Sequence, residues 1–293
     1  MIVVFGSINV DLIVPVPHLP QPGETVLGGD YSLLPGGKGA NQAMAARRAG
    51  SKVVLAGAVG LDSFAEIALD LLRRGGVDTH LVRVVVQPTG CATVMVSPAG
   101  ENAIAVAPGA NTGVRSDQVP DELLDANTIL LAQMEVPPEE TATMISRLRS
   151  RGGRCILNLA PAAPIASGLL SAIDLLVANE SEAATAGPDP VQLARRARQG
   201  LVVTRGAAGA TAFLADGSRL EMPALPINPV DTTGAGDTFV GVLAAALDIG
   251  LDLKSALRRA SAAAGLACLA RGAQTAMPDA AAIAAAMTRL PPG

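Results

Sequence analysis

The chain has 293 residues, 49% of them apolar, with 22 basic and 26 acidic side chains and a net charge of −4. That suits one large α/β domain, or two small ones, with a substantial core. Aromatic residues make up only 2% and no basic run stands out, which excludes base stacking and a phosphate-backbone footprint; neither nucleic acid nor an acidic membrane is an expected partner.

The three cysteines, Cys91, Cys155 and Cys268, are far apart, and an odd count fits reduced thiols and a cytoplasmic location. His18 and His80 cannot build a zinc cluster with them. The start, Met1-Ile2-Val3-Val4-Phe5-Gly6, lacks a basic flank and soon reaches Asp11, so it reads as a first strand rather than a signal peptide. No apolar run is long enough to span a bilayer.

Ile2 to Phe5 is a continuous apolar run that suits a buried strand. Asn9 and Asp11 lie just past it, where open α/β sheets bind ligands; they are candidates to grip hydroxyls, against the plainer reading of a turn. From Leu12 to Leu34 the pattern alternates and is broken by Pro15, Pro17, Pro20 and Pro22, which predicts strands and turns protruding from the main sheet. Pro35-Gly36-Gly37-Lys38-Gly39-Ala40-Asn41 then opens a helix that runs to Ala49 and closes at Gly50. Its glycines suit a close ligand approach, but Lys38 is followed by Gly39, so this is not a P-loop. No G-x-G-x-x-G occurs here or at Gly234, and a dinucleotide fold has no support.

Val53–Val59 is expected as a strand, and Asp62 or Ser63, with Glu66 behind, caps a helix ending near Gly75 and Gly76. Val82–Val86, Cys91–Val96 and Ala103–Val106 read as strands, the last two antiparallel across a short turn and completing the same lid sheet as the first insertion. The lid thus draws on insertions at about 10–35 and 88–108 of a single domain spanning 1–293.

From about Asp117 strands and helices alternate. Helices are expected around Asp121–Leu124, at Pro138–Arg149, around Glu180–Ala186 and at Val191–Arg198, with strands at Ile129–Ala132, Cys155–Leu159, Leu175–Val177 and Leu201–Thr204. This predicts a parallel sheet covered on both faces. At its functional edge stand Glu135, then Asn179 and Glu182, then Thr204-Arg205-Gly206-Ala207-Ala208-Gly209. Three Ala-rich helices close the chain, about Asp237–Leu247, Leu253–Leu269 and Pro278–Leu290, and the Arg271-Gly272 break could fold back beside Asp231.

The stretch with most chemistry is Val230-Asp231-Thr232-Thr233-Gly234-Ala235-Gly236-Asp237-Thr238-Phe239. Its glycines allow close backbone approach, and free amides at a helix start attract anions. Asp237 has two readings on spacing alone: a helix cap, or a base beside a phosphate cradle.

With Gly6-Ser7-Ile8-Asn9-Val10-Asp11, Pro22-Gly23-Glu24-Thr25, Gly36-Gly37-Lys38-Gly39-Ala40-Asn41-Gln42-Ala43, Asn179-Glu180-Ser181-Glu182 and Asp231–Thr238, the chain closely resembles the ribokinase-like (PfkB) carbohydrate kinases over essentially its whole length. The resemblance implies a three-layer α/β/α fold with a mainly parallel central sheet and a small β lid, often paired lid to lid in a homodimer. It implies ATP-dependent phosphorylation of D-ribose at O5. Other sugars or nucleosides (deoxyribose, fructose) and a catalytically silent sugar-binding regulator stand as alternatives.

In this resemblance sugar is held by Asn9, Asp11, Gly37, Lys38, Gly39, Ala40, Asn41 and Glu135, with Asp237 as base and Gly234, Ala235 and Gly236 as anion hole. ATP lies against Asn179, the Thr204–Gly209 turn (Thr204, Arg205, Gly206, Ala207, Ala208, Gly209), Gly236, Asp237 and Ser261, the last standing where the family has an asparagine touching adenine. Magnesium is served indirectly by Glu182. Potassium falls to Asp231, Thr233, Ala267, Ala270, Gly272 and Ala276, the last replacing a serine.

Overall fold

The structure is a computed structural model and describes residues 1–291. The chain opens with β1 (Ile2–Phe5), β2 (Asn9–Pro15), β3 (Ser32–Gly36), α1 (Lys38–Arg48), β4 (Val53–Ala56), β5 (Ala58–Gly60) and α2 (Ser63–Arg74). Next come β6 (Arg83–Val85), β7 (Gly90–Val96), β8 (Asn102–Ala107), β9 (Ile129–Ala132), α3 (Pro138–Arg149) and β10 (Arg154–Asn158). They are followed by α4 (Ser167–Leu170), β11 (Leu175–Asn179), α5 (Glu180–Ala186), α6 (Pro190–Arg196), β12 (Gly200–Thr204), β13 (Ala210–Leu214) and β14 (Arg219–Met222). The last helices are α7 (Ala235–Asp248), α8 (Leu253–Ala267) and α9 (Ala280–Met287).

One eight-stranded sheet runs in the order β14-β13-β12-β11-β10-β9-β1-β4. From β12 to β4 every pairing is parallel. Parallel strands are covered on both faces, so they read as unbroken apolar runs; β1, β4 and β9 are buried at every position. Successive side chains point to opposite faces. Ile2 and Val4 therefore join a core with residues of α1, α7 and α8, while Val3 and Phe5 join a second core with residues of α3. This is the three-layer arrangement expected.

A second sheet has the order β3-β2-β7-β8, with β2 antiparallel to β3 and parallel to β7, and β7 antiparallel to β8. The two insertions do share one small sheet. Asn9 and Asp11 are strand residues of β2, not turn residues beyond β1. Only Gly6, Ser7 and Ile8 separate the two sheets at this point, so the sugar candidates stand at the root of the lid.

Other elements differ from expectation. The run 53–59 breaks at Gly57, where a Cβ would lie 2.7 Å from Ile8 Cδ1, and β5 leaves the main sheet to pair with β6. The segment at Asp121–Leu123 is a single 3-10 turn rather than an α-helix. β13 and β14, not among the expected strands, extend the sheet edge antiparallel. Their short stretches, Ala210–Leu214 and Arg219–Met222, hold only one β-branched residue between them, so strand propensity gives little signal.

Candidate active site

α7 begins at Gly234, whose φ of 73° is left-handed. A Cβ there would stand 2.8 Å from that of Ala273, so both the turn and the packing require glycine. Ala235 N is taken by Thr232 O at 3.2 Å and Thr238 N by Gly234 O at 2.8 Å. The first amides of a helix have no intrahelical partner, and those of Gly236 and Asp237 are left for a ligand.

Asp237 lies in this first turn, but its hydrogen bonds come from another helix. Asn41 Nδ2 donates to its Oδ2 and Gln42 Nε2 to its Oδ1, both at 2.9 Å. The two helix starts meet because α1 and α7 pack closely at Gly241, where a Cβ would lie 2.5 Å from Gln42 O and 2.7 Å from Ala45 Cβ.

At the lid root, Asn111 Nδ2 donates to Asn9 Oδ1 at 2.7 Å, and the same side chain clamps Ile8 N at 2.9 Å and Ile8 O at 3.2 Å. Asn111 was not among the sequence candidates. It sits in a one-turn helix just after β8, and only the fold carries it back to Asn9. Glu135 accepts from Ser7 Oγ at 2.5 Å and from Lys38 N at 3.2 Å, tying the glycine-rich start of α1 to the end of β9. Gly37 and Gly39 press on the backbone of residues 6–9, with Cβ approaches of 2.6–2.7 Å.

Asp11 faces Gly36 so closely that a Cβ on that residue would come within 2.4 Å of the carboxylate. Burial, then the charges of Glu135 and Asp237, push the Asp11 carboxyl up to about 6, against an opposing pull from Lys38. Lys38 shows the reverse balance. Its burial favours the neutral amine, but Asp237, Glu135, Glu182 and Asp11 outweigh it and hold its pKa above the ordinary lysine value. A single cation thus sits among four carboxylates.

A cleft of about 170 Å³ opens between these helix starts and the strand ends, lined by Lys38, Asn179, Glu182, Thr204, Gly236 and Asp237 among others. Asn179 and Glu182 form a capping box on α5: Glu182 N donates to Asn179 Oδ1 and Asn179 N to Glu182 Oε2, each at 2.8 Å. Asp231 Oδ1 accepts from Thr233 N at 2.9 Å and Thr233 Oγ1 at 2.6 Å, and its Oδ2 from Gly272 N at 2.8 Å. Burial alone would raise the Asp231 pKa; the bonds from Thr233 and Gly272, helped by Arg271, hold it below the usual carboxylate value. Ala267 ends α8, and Ala270 and Ala276 lie in the loop that follows.

Two sequence candidates turn elsewhere. Arg205 pairs with Glu221 at 2.8 Å and lines a separate cavity, between β12, β13 and α5. Ser261 is buried and gives its hydroxyl to Pro223 O at 2.5 Å. Gly206–Ala208 forms a 3-10 turn beside Thr204, with Ala207 and Ala208 exposed. Among the described residues no group of three His, Cys, Asp or Glu side chains could hold a metal by itself, and no helix is long and apolar enough to cross a membrane.

Residues 1–280 match the pfkB family carbohydrate kinases. The chain is similar to ribokinase of Bacillus subtilis, at 36% identity over 94% of this chain and 96% of that protein. It is also similar to ribokinase of Haemophilus influenzae, at 34% identity over 94% of each chain. Among solved structures, Arabidopsis thaliana ribokinase complexed with ribose and ATP superposes with a TM-score of 0.90 at 30% identity, covering 98% of both chains. Fold and sequence agree, and the chain belongs to the pfkB family of carbohydrate kinases, within its ribokinase branch.

Proposed function

We infer that the protein is an ATP-dependent ribokinase, which moves the γ-phosphoryl group of ATP to O5 of D-ribose and yields D-ribose 5-phosphate and ADP. The observation that carries this is the meeting of Asp237, at the glycine start of α7, with the polar groups of α1. In this reading the O5 proton passes to Asp237 as O5 attacks the γ-phosphorus, and the bridging P–O bond breaks toward ADP. Asn9, Asp11, Asn41 and Glu135 pair the other sugar hydroxyls, with Gly37, Gly39 and Ala40 shaping the floor. Asn41 Oδ1 is buried without a partner, as suits an acceptor for a sugar hydroxyl.

The cleft fits the phosphates. A Cβ on Gly236 or Gly206 would meet nothing within 4 Å, so both backbones stand open to an incoming group. Gly234 to Gly236 and Lys38 would neutralise the transferring charge, with Asn179 and Thr204–Gly209 along the nucleotide. Magnesium keeps several waters and phosphate oxygens, so Glu182, which lines the cleft wall together with Asp237, fits an indirect role. Potassium takes oxygen donors; Asp231 stitches Thr233 to the Gly272 loop, beside Ala267, Ala270 and Ala276, in a form that suits such an ion. When bound, the two cations would offset phosphate charge.

The reading carries a cytoplasmic location, where ATP is supplied; the three cysteines are free, as in a reducing compartment. It also carries a homodimer through the small sheets. β8 is an edge strand of that sheet, and Ile104 and Val106 on it are 57% and 52% exposed, an apolar edge that suits cover by a second copy.

The test is a comparison of initial ADP release over D-ribose, deoxyribose, fructose and nucleosides, with potassium or a bulky organic cation at fixed magnesium and ionic strength. Ribose should give the highest kcat/KM, and potassium should raise it. A nucleoside preferred over ribose, or no turnover of ATP with any sugar, would overturn the assignment; a flat response to potassium would remove that ion alone.

A further inference from the structure

Gln42 is fully buried, one position beyond Asn41 on α1. Its side-chain amide is hydrogen-bonded at both the nitrogen and the oxygen. Nε2 donates to Asp237 Oδ1 and to Asn158 Oδ1, both at 2.9 Å. Oε1 accepts from Gln133 Nε2 at 2.8 Å. Asn158 Nδ2 donates to the Val177 carbonyl at 3.0 Å.

Two ends of this network, the Asp237 carboxylate and the Val177 carbonyl, can only accept; the third end is Gln133, which donates. A backbone carbonyl has no hydrogen to give, so Val177 fixes which end of the Asn158 amide is Nδ2. Asn158 then turns Oδ1 toward Gln42. An ionised carboxylate likewise only accepts, so Gln42 must present Nε2 to Asp237 and Oε1 to Gln133. Turning the Gln42 amide over would set its oxygen against two acceptors, Asp237 Oδ1 and Asn158 Oδ1. Such a buried network is rigid where its members are paired; both amide atoms of Gln42 and of Asn158 have partners, while Gln133 Oε1 is buried without one. Three elements outside α7 supply it: α1 carries Gln42, the segment after β9 carries Gln133, and β10 carries Asn158.

We propose that Gln42 is a positioning residue that holds the Asp237 carboxylate in the orientation from which it takes the sugar proton, with Gln133 and Asn158 holding Gln42 in turn. The proposal rests on the kinase reading of Asp237. Asn41 anchors one carboxylate oxygen and Gln42 the other, which restrains rotation about its Cβ–Cγ bond. Asn9, Asp11 and Glu135 lie outside this network. Loss of Gln42 therefore falls on the chemical step rather than on sugar binding.

The experiment compares Gln42→Met, which keeps length and volume but cannot donate, with the parent enzyme. The expected result is a kcat lower by about 10–100-fold, the scale set by small misplacements of a reacting group. Ribose affinity by direct titration should stay within about threefold, as expected when an interaction made only in the transition state is lost. In the Asp237→Asn background the same change should alter the residual kcat by less than about twofold, because the two residues act as one unit. A merely structural role would lower kcat in both backgrounds.

Gln133→Met, which touches Gln42 but not Asp237, should lower kcat by about threefold or more in the parent and not in Asp237→Asn, since it loosens a supporting shell. This variant decides the matter if Gln42→Met does not fold. Full kcat in Gln42→Met or, where that variant is unfolded, in Gln133→Met would overturn the proposal. So would equal losses in both backgrounds. An unreactive parent would sink the kinase reading and this proposal together, whereas an active parent with unaffected variants sinks this proposal alone.

Discussion

A carboxylate in the first turn of a helix normally serves its own backbone, but Asp237 is held by two side chains of α1. That difference sets the expected behaviour of Asp237→Asn. If Asp237 were a cap the variant would be nearly harmless, since Asn caps as well as Asp. As a base it cannot be replaced by an amide, and kcat should fall by about 10²–10⁴-fold in a coupled ADP assay. Ribose titration and melting temperature should hardly move; a kcat within a few-fold of the parent returns Asp237 to a structural role. Asp11 makes a separate prediction. Its folded pKa of about 6 lies above the ordinary 3.8, so the folded state holds the proton over that interval. A raised pKa of this kind contributes stability below pH 3.8 that is lost as pH rises through about 6. Above pH 6 the buried charge is a cost on the order of 3 kcal/mol at most. Asp11→Asn should therefore raise the melting temperature of the sugar-free protein at pH 8 while weakening ribose binding. In the parent, ribose affinity should weaken as pH falls below about 6, because a protonated Asp11 accepts fewer sugar hydroxyls. A flat affinity from pH 8 to 5 removes Asp11 from the sugar contacts.

The start of α7 contains two glycines with different physical duties. Gly234 needs its left-handed φ of 73° and has Ala273 at 2.8 Å from a would-be Cβ. Gly236 has neither constraint, and its would-be Cβ points into open space. Gly234→Ala should therefore destabilise the fold by about 1–3 kcal/mol, read as a lower denaturant midpoint. Gly236→Ala should fold like the parent but raise the KM for ATP, since the added methyl occupies the approach to the free amides. Equal stability losses in the two variants would mean that Gly236 is a packing position and not part of the cradle. The same logic marks α1. Gly37 and Gly39 bring its start against residues 6–9, which sets Asn41 and Gln42 within reach of Asp237.

Across the molecule, Asn179 and Thr204 end strands of the main sheet, Glu135 follows β9 and Asp237 starts α7, while the small sheet carries Asn9 and Asp11. Asn111 connects the two levels. It follows directly after β8 yet holds Asn9 and both backbone groups of Ile8. A lid hinged at residues 6–8 and tied at Asn111 should close over ribose, excluding water from the transfer. Saturating ribose is expected to slow hydrogen exchange in residues 12–34 and 91–106, and unchanged exchange there would count against closure. If a second copy covers the apolar edge, replacing both Ile104 and Val106 with Glu should convert a dimer to a monomer by sedimentation. A parent that sediments as a monomer ends that reading.

By itself, the sequence determined the layered α/β fold and named the candidates for the site. Continuous apolar runs such as Ile2–Phe5 and Ile129–Ala132 can only be buried on both faces, and capping residues such as Asp62 and Asn179 marked their helices. Glycines at 37, 39 and 234 announced close approach before any partner was known. Such signals are local in the chain. Only the tertiary structure decided that Asn9 and Asp11 belong to a lid strand, that Gln42 and Asn41 share Asp237, and that Asn111, 102 residues further on, anchors Asn9. It also decided that the Ser261 hydroxyl serves the Pro223 carbonyl, and that β13 and β14 close the sheet edge. A hydrogen bond between residues so far apart leaves no period or propensity in the sequence, because it exists only after the sheets have brought their loops to one edge.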